Sequence, residues 1–92
     1  MLSEENVAAF NRDGFVNGGQ VLNDDEVDAL REELARVIED DGKEDVKQPV
    51  SLRNLSRDDD HPVWQIVNIW EASSLFRALI SNAKVVEEIA QL

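Results

Sequence analysis

Architecture is restricted first by one short run, Val63-Trp64-Gln65-Ile66-Val67-Asn68-Ile69-Trp70. Extended, it turns Val63, Gln65, Val67 and Ile69 to one side and Trp64, Ile66, Asn68 and Trp70 to the other. Both sides are largely apolar, as in a strand covered on both faces. Val63, Ile66, Val67 and Trp70 also fit helical spacing. The run is short, rich in Val, Ile and Trp, and bounded by Pro62, so a strand is expected. Such a strand needs neighbours on both edges. A chain of 92 residues has room for one domain and a modest core.

Helical signals flank this strand. Ser3 caps an expected helix over Glu4–Arg12, with Glu4 and Glu5 well placed for the helix dipole. Leu2 and Val7 have the spacing of a hydrophobic staple, and Gly14 is the expected C′ residue. Asn23 with Glu26 makes a capping box, and Leu22 with Val27 a second staple. Val27, Leu30, Leu34, Val37 and Ile38 then recur at helical spacing, Glu32 and Arg36 form an i,i+4 pair, and Gly42 stops the helix. Gly14–Gly19 reads as a short strand and turn, and Val50–Leu55 as an edge strand. Residues 43–49 and 57–62 read as polar loops. Ser73 or Ser74 caps a further helix with Leu75, Phe76, Leu79 and Ile80. Asn82 ends it and caps the next, where Val85, Val86, Ile89 and Leu92 continue an apolar stripe to the last residue without a closing signal.

Composition narrows the function classes. Lys and Arg number 9 against 20 Asp and Glu, for a net charge of −11. Nucleic acid and anionic membranes are therefore unexpected partners. The hydrophobic share of 42% is too high for a disordered acidic tail. With no Cys there is no disulfide framework and no thiol nucleophile. No apolar run is long enough to span a bilayer, and the acidic start Met1–Glu5 lacks the basic region of a signal peptide. A cytoplasmic protein is expected.

Few residues suggest chemistry. Asp58-Asp59-Asp60-His61 most resembles a metal site, yet adjacent residues of an extended segment point apart, and a solvated acidic loop accounts for it. Neither this run nor Asp40-Asp41-Gly42 follows the EF-hand pattern. His61 is the only His, and no Gly-x-Ser-x-Gly elbow accompanies it. Gly14–Gly19 lacks the spacing of a phosphate-binding loop. Gln65 and Asn68 are polar positions in an apolar strand, explained by local hydrogen bonding or by a ligand cavity that Trp64 and Trp70 could wall.

Leu2-Ser3-Glu4-Glu5, Phe10, Asp13-Gly14-Phe15-Val16, Val21-Leu22 and Glu26-Val27-Asp28-Ala29-Leu30-Arg31 resemble, in that order, the opening of the phytanoyl-CoA dioxygenase family. Trp64–Glu71, Leu75-Phe76-Arg77 and Val85-Val86-Glu87 extend the resemblance over nearly the whole chain. It implies a non-haem iron(II) and 2-oxoglutarate oxygenase with a double-stranded β-helix core. The family holds iron with a His-x-Asp motif and a distant second His, a donor set that leaves coordination positions for 2-oxoglutarate and O₂. This chain departs from that pattern. It has one His, and His61 is followed by Pro62 and Val63. The resemblance therefore implies an N-terminal fragment, inactive alone, with no metal or catalytic residue of its own. It places Gln65 near a position where some members contact 2-oxoglutarate, with Asn68 and Trp70 beside it. No cofactor is expected in this chain, and Fe(II) and 2-oxoglutarate are implied for the full-length family.

The expected fold is α+β, a single partial domain over 1–92. Residues 1–42 form helix, strand and helix, residues 43–62 a polar loop with an edge strand, and residues 63–92 a strand and two helices. These helices and first strands would buttress a jelly-roll core absent from the chain. The alternative is a small acidic interaction module. Its homodimer contact would be the Val85–Leu92 stripe and the sheet edges. A mimic of nucleic acid fits less well, because the acids form no regular double row.

Overall fold

Asn23 begins the longest element of the computed structural model, which describes residues 1–92. Its Oδ1 accepts from the Glu26 N–H at 2.8 Å, and Glu26 Oε1 accepts from the Asn23 N–H at 3.1 Å. The capping box forms as expected and opens α2 (Asp24–Glu39). Asn23→Ala removes the side-chain half of this box, leaving the backbone N–H bond to Glu26, and should cost about 1 kcal/mol, read as a lower thermal midpoint with unchanged folded-state helicity. The helix ends before Gly42. Asp40 is its C-cap, and Gly42 takes a φ of +78° in the turn that follows.

The other helices start by the same local device. Ser3 Oγ accepts from the Asn6 N–H to open α1 (Glu4–Asp13). Gly14 closes it in the left-handed region at φ +82°, its N–H reaching the Phe10 carbonyl at 2.8 Å. Ser73 opens α3 (Ser74–Ile80), and Asn82 opens α4 (Ala83–Ala90).

Two strands form the sheet. β1 (Ser51–Asn54) pairs antiparallel with β2 (Trp64–Val67), Leu52 opposite Ile66 and Arg53 opposite Gln65. Leu52, Asn54, Trp64 and Ile66 share one face, and Ser51, Arg53, Gln65 and Val67 the other. Asn54 Oδ1 fastens the connecting loop, accepting from the Ser56 and Val63 N–H groups at 2.9 Å each.

Three expectations are corrected. The strand expected over Val63–Trp70 is only Trp64–Val67. Asn68 turns into the left-handed region (φ 56°, ψ 52°), which ends the strand, and Ile69–Glu71 forms one 3₁₀ turn. Asn tolerates this conformation better than a β-branched residue does. Neither face of β2 is covered: Trp64 and Val67 are both exposed. The strand expected within Gly14–Gly19 does not form. Gly14 is taken by the helix cap, and no backbone bonds Phe15–Gly19 into a ladder.

The chain ends meet. Leu2 N–H donates to Gln91 Oε1 at 2.8 Å, and Gln91 Nε2 donates to the Leu2 carbonyl at 3.0 Å. Leu2 is buried, lining a small cavity with Val85, Ile89 and Leu92. Elsewhere burial is sparse. Only Leu2, Val37, Ala72 and Ser73 are buried, the last two in the turn that leads into α3.

The molecule is a small α+β unit of four α-helices and a two-stranded antiparallel sheet. It measures 49 × 28 × 24 Å, with a radius of gyration of 16.9 Å. A compact chain of this length would have about 12 Å. Its accessible surface is 7141 Å², against about 5,400 Å² for a folded monomer of its mass. No helix is long and apolar enough to cross a membrane.

Candidate functional site

The best-formed polar cleft lies where the 3₁₀ turn and α3 meet α2. It is half open and holds about 330 Å³ between Glu33, Arg36, Lys47, Trp70, Glu71, Ala72, Ser73, Ser74 and Arg77. Arg36 is its fixed wall. The guanidinium grips Glu33 at 3.0 and 2.6 Å, reaches Asp40 at 3.2 Å, and donates to the Ala72 carbonyl at 2.9 Å. That last bond ties α2 to the turn before α3. Arg36 chiefly, then the Ser73 side chain, holds the Glu33 carboxyl below its ordinary range. Glu33 in turn pushes the Arg36 pKa up.

Lys47 and Arg77 are placed differently. Neither pairs with a carboxylate. Arg77 lies over the Trp70 ring, 5.5 Å from its centroid, in cation–π geometry. Trp70 and Arg77 also line a second, open cleft of about 400 Å³ with Ile80 and Ser81. The pair thus forms a partition between two adjoining clefts. Three cations and two carboxylates line the polar one, a local excess of positive charge in a chain of net −11.

Of Gln65, Asn68 and Trp70, only Trp70 reaches this cleft. Gln65 sits exposed on β2 opposite Arg53. Asn68 is exposed at the start of the 3₁₀ turn, its carbonyl accepting from the Glu71 N–H at 3.0 Å. The structure does not bring the three together. The expected Glu32–Arg36 pair is also absent. Arg36 chooses Glu33 and Asp40, because those carboxylates flank it on the side that reaches Ala72, while Glu32 is exposed. Lys47 and Arg77 escape a reading of motifs, since 30 positions separate them, Lys47 stands in no pattern, and Leu75-Phe76-Arg77 carries no site role in the resemblance.

The Asp58–His61 loop binds itself. His61 Nδ1 lies 2.8 Å from Asp58 Oδ2, and Asp58 Oδ1 accepts from the Asp60 N–H at 3.0 Å. His61 first, then the Asp60 N–H, holds the Asp58 carboxyl below its ordinary range. No three His, Asp or Glu side chains converge as metal ligands would. The residues present do not fit an iron site of two imidazoles and a carboxylate. The single imidazole is 84% exposed and already bonded to Asp58.

A further concavity, of about 340 Å³, lies between α2 and α3. Leu30, Leu75 and Leu79 floor it and Asp25 and Glu26 stand among its lining residues, so it offers apolar packing without an orienting cation.

No protein family, curated protein or solved structure matches the chain.

Proposed function

We propose that residues 1–92 are a cytoplasmic, non-catalytic N-terminal buttress of an iron(II)/2-oxoglutarate oxygenase of the phytanoyl-CoA dioxygenase kind, inactive by themselves. The residue order from Leu2-Ser3-Glu4-Glu5 through Asp13-Gly14-Phe15-Val16 to Trp64–Glu71 supports the family. The open β1–β2 hairpin carries the buttress reading. Two four-residue strands alone are marginal in water, and here both outer edges are unpaired and apolar side chains stand exposed on both faces. A larger sheet added at either edge would satisfy the backbone, and elements packed on its faces would cover Trp64 and Val67. The parent enzyme would hydroxylate its substrate with O₂ while decarboxylating 2-oxoglutarate, using iron ligands that this chain does not supply.

Three measurements test this. Anaerobic titration of residues 1–92 with Fe(II) should show no more than generic acidic-surface binding, and aerobic incubation with Fe(II) and 2-oxoglutarate should yield no succinate. Succinate formation, or micromolar iron affinity lost in His61→Ala, overturns the reading. Reading the coding DNA past the Leu92 codon should reveal an in-frame His-x-Asp and a later His. A stop codon directly after Leu92 defeats it.

One observation favours a second reading, a self-associating module. Val86, Ile89 and Leu92 on and beside α4 are all exposed. The surface excess over a compact monomer is about 1,700 Å², twice the roughly 800 Å² each partner gives to a standard interface. On this reading, sedimentation equilibrium at micromolar concentration shows a dimer, and Ile89→Lys returns it to monomer. A monomer in the native chain removes it.

A further inference from the structure

We propose that the cleft beside Trp70 binds an organic phosphate, its phosphoryl group between Lys47 and Arg77 and its planar body against Trp70. This does not rest on the oxygenase reading. Arg36 contributes a rigid wall but little free charge, since Glu33 and Asp40 already neutralise it. Lys47 and Arg77 make no ion pair despite 20 carboxylates on the chain, Arg77 resting on the Trp70 ring instead. They come from different elements, the 43–50 connection and α3, and line one half-open cleft of about 330 Å³.

The chemistry of that pair selects the ligand. A carboxylate can take a guanidinium and an ammonium together, as Asp40 does with Arg36 and Lys43, but it offers them only one negative charge. A phosphate monoester has three terminal oxygens and near-double charge, so it can take the Arg77 fork and the compact Lys47 ammonium together. The Ser74 hydroxyl makes no hydrogen bond within the chain and lines the same volume, which provides one more donor. Trp70 and Arg77 continue into the adjoining cleft with Ile80, where a planar apolar body finds an indole face and an aliphatic neighbour. Glu71 is the opposing feature: it lines the cleft, has no cationic partner, and repels the same anion.

Titration of residues 1–92 with phenyl phosphate at low ionic strength, followed by indole fluorescence and amide chemical shifts, tests the assignment. Phenyl phosphate should bind about tenfold more tightly than inorganic phosphate, with shifts confined to residues around Trp70, Ser74 and Arg77. Lys47→Gln and Arg77→Gln should each weaken it about tenfold, as loss of one charge-assisted bond requires. Trp70→Leu should abolish the preference over inorganic phosphate, and Glu71→Gln should tighten binding. Lys47 stands in an exposed connection, so its variant keeps the test valid if Arg77→Gln fails to fold. Unchanged affinity in Lys47→Gln, saturation without shifts at the cleft, or no binding overturns the proposal. So does tighter binding of 2-oxoglutarate than of phenyl phosphate, which would mark a dicarboxylate site instead.

Discussion

Val37→Asp is expected to leave the chain unfolded at neutral pH and 25 °C, by far-ultraviolet circular dichroism and by collapse of amide shift dispersion. Val37 is 2% exposed, the only large side chain so fully enclosed. An ionised carboxylate at that position loses its hydration, and no cation stands among the other buried residues, Leu2, Ala72 and Ser73, to compensate. The penalty is several kcal/mol. A 92-residue domain of ordinary compactness is stable by about 5–14 kcal/mol. With so little buried here, the lower end applies, and the penalty is of the same size as the whole stability. Val37→Ala is the graded control. It deletes two methyl groups and leaves a small void, a cost of about 2 kcal/mol. For a domain of this size that is a fall in Tm of about 8–16 °C. A Val37→Asp chain that melts within a few degrees of the native one would show that the fold does not depend on burying this side chain.

These expectations come from burial, which the residue order foretells only in part. The helix starts were legible because capping is local: Ser3, Asn23, Ser73 and Asn82 each reach an N–H two or three residues away. Gly14 was legible for the same reason. Gly42 is not the helix stop its residue type suggests, because Asp40 already caps α2. The strands depend on partners that short-range patterns do not name. Ser51–Asn54 and Trp64–Val67 find each other, whereas Phe15 and Val16 find no partner and stay irregular. Asn68 hid the break in Val63–Trp70, because period-two alternation says nothing about a left-handed residue inside it. The cleft was legible through Trp70 alone. Gln65 and Asn68 fall away from it because β2 ends at Val67 and the backbone turns there. Lys47 and Arg77 meet only after the 43–50 connection and the 3₁₀ turn fold against α2, a tertiary event with no trace in spacing.

Arg36→Met should give the second-largest loss, and its pH dependence identifies the source. Met keeps the apolar stem, so packing is largely preserved. What goes is the guanidinium with its bonds to Glu33, Asp40 and the Ala72 carbonyl. Ala72 is buried, and an acceptor stripped of its partner there costs about 1–3 kcal/mol. The ion-pair part is smaller, because the Arg36 side chain is 39% exposed and solvent screens it. Glu33 and Asp40 titrate below their ordinary values of 4.5 and 3.8 in the folded chain, Glu33 mainly through Arg36 and Asp40 mainly through Lys43. Depressed carboxyl pKa values stabilise the fold above those ordinary values, and the contribution is lost as the pH falls through the folded ones. The gap in Tm between the native chain and Arg36→Met should therefore hold steady from pH 7 to pH 5 and narrow below about 4.5. Comparing the two chains cancels the general self-repulsion of a net charge of −11, which acidification relieves in both. The gap should not close, because Arg36 stays charged and keeps its bond to Ala72. Thermal melts of both chains at pH 7, 5, 4 and 2.5 separate the contributions. A gap that widens on acidification would place the stabilising role of Arg36 elsewhere than in Glu33 and Asp40, and one already absent at pH 7 would remove the α2–Ala72 tie as a support of the fold.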